Sequence, residues 1–501
     1  MNTSFAYSAL VLSTYIAHFA SAQPQSDNIF LDRKFWTKDI TIEQINEKIK
    51  EGHDLSASNR GNFDGFYFAF NAGASNDVLK YIVEHPGNGV HKPSHDGRTN
   101  LFWVAAGNNT EMVEYFLKNG AKTDIIDEKG STVLLFTASN GGNKQEIYDL
   151  LIKYGSQIKA EKLRSGANVI LAYAQHAKDL SLLDYFDKKG ASFKSKDDEG
   201  NGIIEYAIQG GNTAIVKELI AKRKVKPANN NAVLFAANGQ RGKQSKLEVY
   251  TFIENELKLP LNTLNSNGQN ALHILAGKVV DADVLSFLTK KIDVYQKDNK
   301  LNTPLFYAAR NLKDVKALET VLSWYNNELT HSNGIGASPL LYAIEGNTAE
   351  VIEFLLDNKG DLTVVDQKGN NYVNYLIEGM GRQVSPDFKK KVDVLVKNGM
   401  TFDSKQANGN TIYHLLAQRG DVKLMEYFLP IAKGDMNAKN DMGLTPLHII
   451  ALNAKKVSDI ESWLKLGFNK DIASDMDETV YQLAIENELI NKDIQKLDFL
   501  K

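Results

Sequence analysis

Of the ten histidines in this 501-residue chain, His448 has neighbours that a general base would need. Thr445 lies three residues before it and Asp441 four residues before that, so a carboxylate could orient an imidazole beside a hydroxyl. A second grouping, His85, His91 and His95, falls in the loop "HPGNGVHKPSH", and converging histidines can hold zinc. A metal site needs three or four ligands, and a solvated loop is the simpler reading of that stretch. The chain has no cysteine, which excludes disulfides, thiolate metal sites and a cysteine nucleophile. It contains no H-E-x-x-H and no phosphate-cradling glycine loop. No metal and no other cofactor is expected.

The elements that carry His448 show what it is for. Its stretch, "GLTPLHIIA" at 443–451, has relatives along the chain. "GQNALHILA" lies at 268–276, "LNTPLFYAA" at 301–309, "GASPLLYAI" at 336–344 and "GNTIYHLLA" at 409–417. "GRTNLFWVA" at 97–105 and "GSTVLLFTA" at 130–138 are further copies, and weaker ones begin at 166, 200 and 369. Most neighbouring copies stand 33 to 36 residues apart, and about thirteen are countable. After each comes a turn and a second apolar run, as in "EMVEYFLKNGA" at 111–121, whose Met112, Tyr115 and Phe116 mark the helical period. Asn-Gly or Gly closes that helix, and Asp/Asn/Gly turns such as "DEKG" and "DQKG" precede the next copy. A unit this small cannot bury its own apolar face, so neighbours must stack.

The pattern resembles the ankyrin repeat over nearly all of 59–500, best in "GLTPLH" at 443–448, "NTPLFYAA" at 302–309 and "NALHILA" at 270–276. Thr-Pro survives only at 303–304 and 445–446, with Ser338-Pro339 close, and Leu301 stands where Gly is usual. The resemblance implies an all-α fold: an ankyrin-repeat α-solenoid of paired antiparallel helices with projecting β-turn loops, in a single elongated curved array. It also implies that His273, His414 and His448 bridge neighbouring backbone turns. Phe, Leu, Glu or Asn fills the same register elsewhere, which is incompatible with catalysis. Thr is expected to cap each first helix, Pro to start it, and Leu447 and Ala451 to face the packed side.

Function is then expected on the variable surface. Residues flanking the repeat Gly are expected to point outward: Asp96, Arg98, Lys129, Ser131, Glu199, Asn201, Gln269, Lys300, Asn302, Lys368, Asn370 and Asn410. Residues opening the following turn join them: Gln209, Arg310, Glu345, Gln418 and Arg419. Trp103, Phe136, Tyr206, Tyr307, Tyr342 and Tyr375 share one register, either packed between first helices or forming an aromatic strip on a concave face. Long turns at 239–250 and 379–391 are candidate binding loops.

The domain reading follows. Residues 1–22 form a secretory signal peptide, apolar over Phe5–Phe19, without a charged residue and with "ASA" before Gln23. Residues 23–58 form a linker and a half-repeat helical cap, with Ile42, Ile45 and Ile49 on one stripe. Residues 59–476 hold twelve repeats, and 477–501 form a degenerate C-terminal cap. The leader predicts an exported, periplasmic or secreted protein, of bacterial type, cleaved near Ala22/Gln23; a retained leader would make it cytoplasmic. No later segment reaches membrane-spanning length. A net charge of −3 argues against nucleic acid. The expectation is a monomeric, non-catalytic scaffold for a partner protein, the alternative being an envelope-glycan binder that uses the aromatic strip.

Overall fold

The computed structural model describes residues 28–381 and 384–501; the signal-peptide reading lies outside the described residues. These residues fold as twenty-six α-helices and three 3-10 segments, without a β-strand among them. The chain divides at Ile203–Ile204 into two compact units.

In the first unit Phe30 and Trp36 are buried, and the Trp36 indole donates to the Phe30 carbonyl at 3.0 Å. The indole rests against Gly65, where a Cβ would come within 2.9 Å of the ring. Helix Ile42–Lys50 starts with a reciprocal capping box between Thr41 and Gln44, and its Ile45 is fully buried. Four helical hairpins follow, beginning with Gly65–Ala72 and Asn76–Glu84. Within the unit, first helices pack on first helices, as Asn100–Ala106 does on Val133–Ser139.

The second unit repeats the scheme from Thr213–Arg223 to the C-terminus. Its first helices include Ala271–Ala276, Pro304–Asn311, Pro339–Gly346, Tyr372–Glu378, Ile412–Arg419 and Pro446–Asn453, each on the next. Pro304, Pro339 and Pro446 occupy the first helical turn, where the missing N–H costs nothing. Leu447 and Ala451 are fully buried, as the repeat pattern requires. The last first helix, Val480–Glu486, is followed by the 3-10 run Asn491–Leu500, with Leu497 and Leu500 packed inward.

Second helices begin with short polar caps. Asn109, Asn212, Asp281, Asp314, Ser385 and Asp421 each accept a backbone N–H from the first turn. First helices end against a polar side chain of the next hairpin. Asn347 Nδ2 donates to the Ala309 and Leu312 carbonyls at 2.8 and 2.9 Å, and Asn487 does the same for Ala451 and Ala454. These carbonyls have no partner inside their own helix, so burial demands one from outside.

Candidate functional site

His448 is fully buried, and its Nδ1 accepts the Thr445 backbone N–H at 3.0 Å. Thr445 Oγ1 lies 2.8 Å from the same nitrogen. His414 repeats this with Thr411, and His273 with Asn270. The opposite nitrogen reaches the next turn: His273 Nε2 to the Asn302 carbonyl at 3.1 Å, His414 Nε2 to that of Leu444 at 2.9 Å. His448 Nε2 is buried and makes no such bond, although the Glu478 carbonyl lies on its side. An acceptor Nδ1 and a donor Nε2 describe a neutral imidazole, and burial holds all three below the ordinary histidine range. Asp441 has its own role, donating its N–H to the Asn408 carbonyl at 3.1 Å.

Two other residue types do the same work in that register. Gln482 completes a capping box with Thr479 through its amide oxygen at 2.7 Å. Glu205, wholly buried, accepts the Ala228 N–H at 2.8 Å. Where a polar residue holds this position it serves as an acceptor, and an imidazole is not required.

Most projecting loops hang on one acceptor. Asp298 takes the N–H of Lys300 and of Asn302 at 2.8 and 2.9 Å. Asp127, Asp197, Asn265, Asn333, Asp366, Asn440 and Ser474 bind the equivalent pair in their loops. Consecutive tips are joined by the backbone. In the first unit Glu128 donates to Asp96 at 2.9 Å. In the second, Asn299 donates to Asn267, Gly334 to Lys300, Gln367 to Ile335 and Ala407 to Gly369, at 2.7 to 3.0 Å. Gly369 is required here: its φ is 76°, and a Cβ would meet that of Ala407 at 1.7 Å. Leu301 adopts the same left-handed conformation, φ 58°, without being glycine.

The residue following the repeat Gly was expected to point outward, and in several loops it does the opposite. Arg98 is 8% exposed. Its Nε donates to Asp127 at 2.7 Å, its NH1 lies 3.1 Å from Asp96, and its guanidinium covers the Phe136 and Trp103 rings. Ser131, Asn201, Asn302 and Asn410 are also buried, and Asn370 is half-buried. The reason is hairpin geometry. This residue pairs across the loop with the anchor, so its side chain turns toward the next loop: Asn333 donates to Asn302, and Asn440 to Asn410.

The aromatic register is half-buried at Trp103, Tyr206, Tyr307 and Tyr342, and buried at Phe136 and Tyr375. Its polar ends turn inward to the anchors. Tyr307 donates to Asp298 at 2.5 Å and Tyr375 to Asp366 at 3.0 Å, while Asn333 donates to the Tyr342 hydroxyl. Gln269 donates to the Tyr307 hydroxyl at 2.7 Å. Packing with a loop strut is thus the role that these rings fill.

Four more candidates are engaged within the chain. Arg310 pairs with Glu345 at 2.6 Å and lies over the Tyr342 ring. Arg419 was expected to be available to a partner, but it donates to the Ile377, Met380 and Gly381 carbonyls at 3.1, 2.8 and 2.7 Å, a cation at a helix C-terminus. Gln209 donates to the Gly239 carbonyl at 3.0 Å. Asp96 is half-buried, while Lys129, Glu199, Lys300, Lys368 and Gln418 are exposed. Sequence reading singled out Met442 but missed the exposed apolar Ile335 and Met476: the three are 63%, 39% and 80% exposed at equivalent tip positions. Their alignment with Lys300 and Lys368 just before the repeat Gly was the available signal.

Among the described residues no three His, Asp or Glu side chains converge on a metal-binding point. His95 instead stacks on Phe63 at 4.3 Å, with Nδ1 2.8 Å from the Gly61 carbonyl.

The family model of ankyrin repeats matches residues 66–162, in three copies. Residues 66–162 are ankyrin repeats. The helical hairpins that follow carry the same kind of loop anchors and helix caps, consistent with an ankyrin-repeat helical solenoid. An ankyrin repeat protein of Acanthamoeba polyphaga mimivirus is 21% identical over 395 residues, 72% of this chain and 45% of the relative. An ankyrin repeat domain-containing protein of Stachybotrys chartarum is 23% identical over 411 residues, 79% of this chain and 20% of the relative. The chain spans less than half the length of these relatives. A solved complex of a predatory endopeptidase from Bdellovibrio bacteriovorus with an immunity protein matches at 24% identity and TM-score 0.33, over 39% of this chain and 97% of that one. Among the described residues no helix is long and apolar enough to cross a membrane.

Proposed function

We propose that the chain is a non-catalytic scaffold of twelve ankyrin repeats between a half-repeat and a degenerate cap, and that it binds a partner protein along its loop tips. The observation that carries this is a division of labour. His273, His414, the anchor carboxylates and the Tyr307 and Tyr375 hydroxyls are engaged inside the fold. Lys129, Lys300, Lys368, Ile335 and Met442, one position before the repeat Gly register, are exposed on loops joined by backbone hydrogen bonds. A rigid edge with varied side chains suits recognition at low entropic cost. The inward-turned tyrosine hydroxyls favour a protein partner over a glycan, which relies on such groups for hydrogen bonds.

The test is affinity capture with the intact mature chain, followed by identification of what binds. A partner kept by Lys217→Glu, on a second helix, but lost in Lys300→Glu/Lys368→Glu supports the reading. Equal capture by both variants, or turnover of a substrate by the purified chain, contradicts it.

We also propose that the protein is exported and begins at Gln23. The intact mass of the mature protein checks this, and a retained Met1 would place it in the cytoplasm.

A further inference from the structure

The long loop between helices Ala232–Asn238 and Leu247–Asn255 encloses a polar pocket of about 160 Å3. It is lined by Gln209, Gly210, Gly211 and the segment 243–246, together with Glu248. Ser245 is 5% exposed, yet its hydroxyl has no partner, and neither has the Gln244 side-chain oxygen. Lys243 and Lys246 line the same space and enter no ion pair among the described residues.

A corresponding loop elsewhere in the chain shows what this one lacks. Helix Gln145–Lys153 aligns with Leu247–Asn255, and Asn143 and Lys144 hold the places of Ser245 and Lys246. There, the Asn108 side-chain oxygen accepts both backbone N–H groups, at 2.8 and 3.3 Å. The place of Asn108 is taken by Gly211, which keeps the left-handed backbone, φ 71° against 60°, but has no side chain to offer. No described residue accepts the Ser245 and Lys246 N–H groups. Neither helix begins with a side-chain cap of its own, so the missing Asn108 oxygen is the difference between the two loops.

We propose that this pocket binds a carboxylate carried on a peptide. One carboxylate oxygen takes the position of the Asn108 amide oxygen and accepts the Ser245 and Lys246 N–H groups. The Ser245 hydroxyl donates to it, and the two ammonium groups neutralise it. The Gln244 oxygen and Glu248 face the carrier and accept its backbone N–H, which favours a peptide over a bare inorganic anion. That the carrier belongs to a partner protein rests on the scaffold reading above; the pocket chemistry does not. The carboxylate comes from an acidic side chain or from a chain terminus.

Ligand-detected NMR on the full mature chain tests this with three peptides: N-acetyl-Gly-Asp-Gly-amide, N-acetyl-Gly-Gly-Gly with a free C-terminus, and N-acetyl-Gly-Asn-Gly-amide. Binding of at least one carboxylate peptide, but not the asparagine peptide, is expected, and which one binds identifies the source. Gly211→Asn is the deciding variant. A Cβ there meets nothing within 4 Å, so the new side chain fits and occupies the oxygen site. It should abolish binding while the melting temperature holds or rises; Lys243→Gln/Lys246→Gln should weaken binding about tenfold. Absence of binding by both carboxylate peptides, or unchanged binding in Gly211→Asn, overturns the proposal. Both results are read without the partner, so they are separate from failure of the scaffold reading.

Discussion

His448 illustrates how a reactive side chain becomes a strut. Its Nδ1 already accepts the Thr445 N–H, so protonation would break that bond in a buried place. The sign for stability follows. The unfolded chain takes up protons near pH 6.5, whereas folded His273, His414 and His448 titrate lower. Their contribution is complete above pH 6.5 and is lost as pH falls through the folded values. The urea midpoint should therefore fall between pH 7 and pH 5. His448→Gln, copying Gln482, should stay within about 1 kcal/mol of the parent at pH 7 and reduce that acid sensitivity. Arg98→Ala should cost about 3–5 kcal/mol, measured by urea unfolding, because Asp127 is left buried beside an empty place. The histidine role was legible because the register repeats. The burial of Arg98 was not, because its partner Asp127 lies in the next loop and arginine is ordinarily a surface residue.

At the scale of elements, helix type and order followed from the i, i+3, i+4 pattern, since stacking buries one stripe of every helix. The inter-repeat caps did not follow. Asn347 reads as a turn residue until the Ala309 and Leu312 carbonyls are seen to lie against it. Asn347→Ala should cost about 1–3 kcal/mol by urea unfolding, since two buried carbonyls lose their donor. Leu301 is the reverse case. Its side chain is 47% exposed and its φ is 58°, so Leu301→Gly removes strain and loses little packing. An increase of about 1 kcal/mol is expected in the same measurement.

For the molecule as a whole, period and motif were enough to give the helical solenoid fold, but not to say which surface charges are engaged within the chain. Of the sequence candidates, Arg98, Arg310, Glu345 and Arg419 are committed to partners within the chain. Lys129, Glu199, Lys300 and Lys368 remain exposed at loop tips. A sequence lists charges without saying which are spent, and only the fold sorts them. The central claim is that repeat residues build and tip residues bind. Lysine-reactivity footprinting of the chain, alone and with its captured partner, tests it most directly. The account predicts protection of Lys129, Lys300 or Lys368 with Lys217, Lys390 and Lys397 unchanged. Protection confined to those second-helix lysines, with the tips fully reactive, would contradict it.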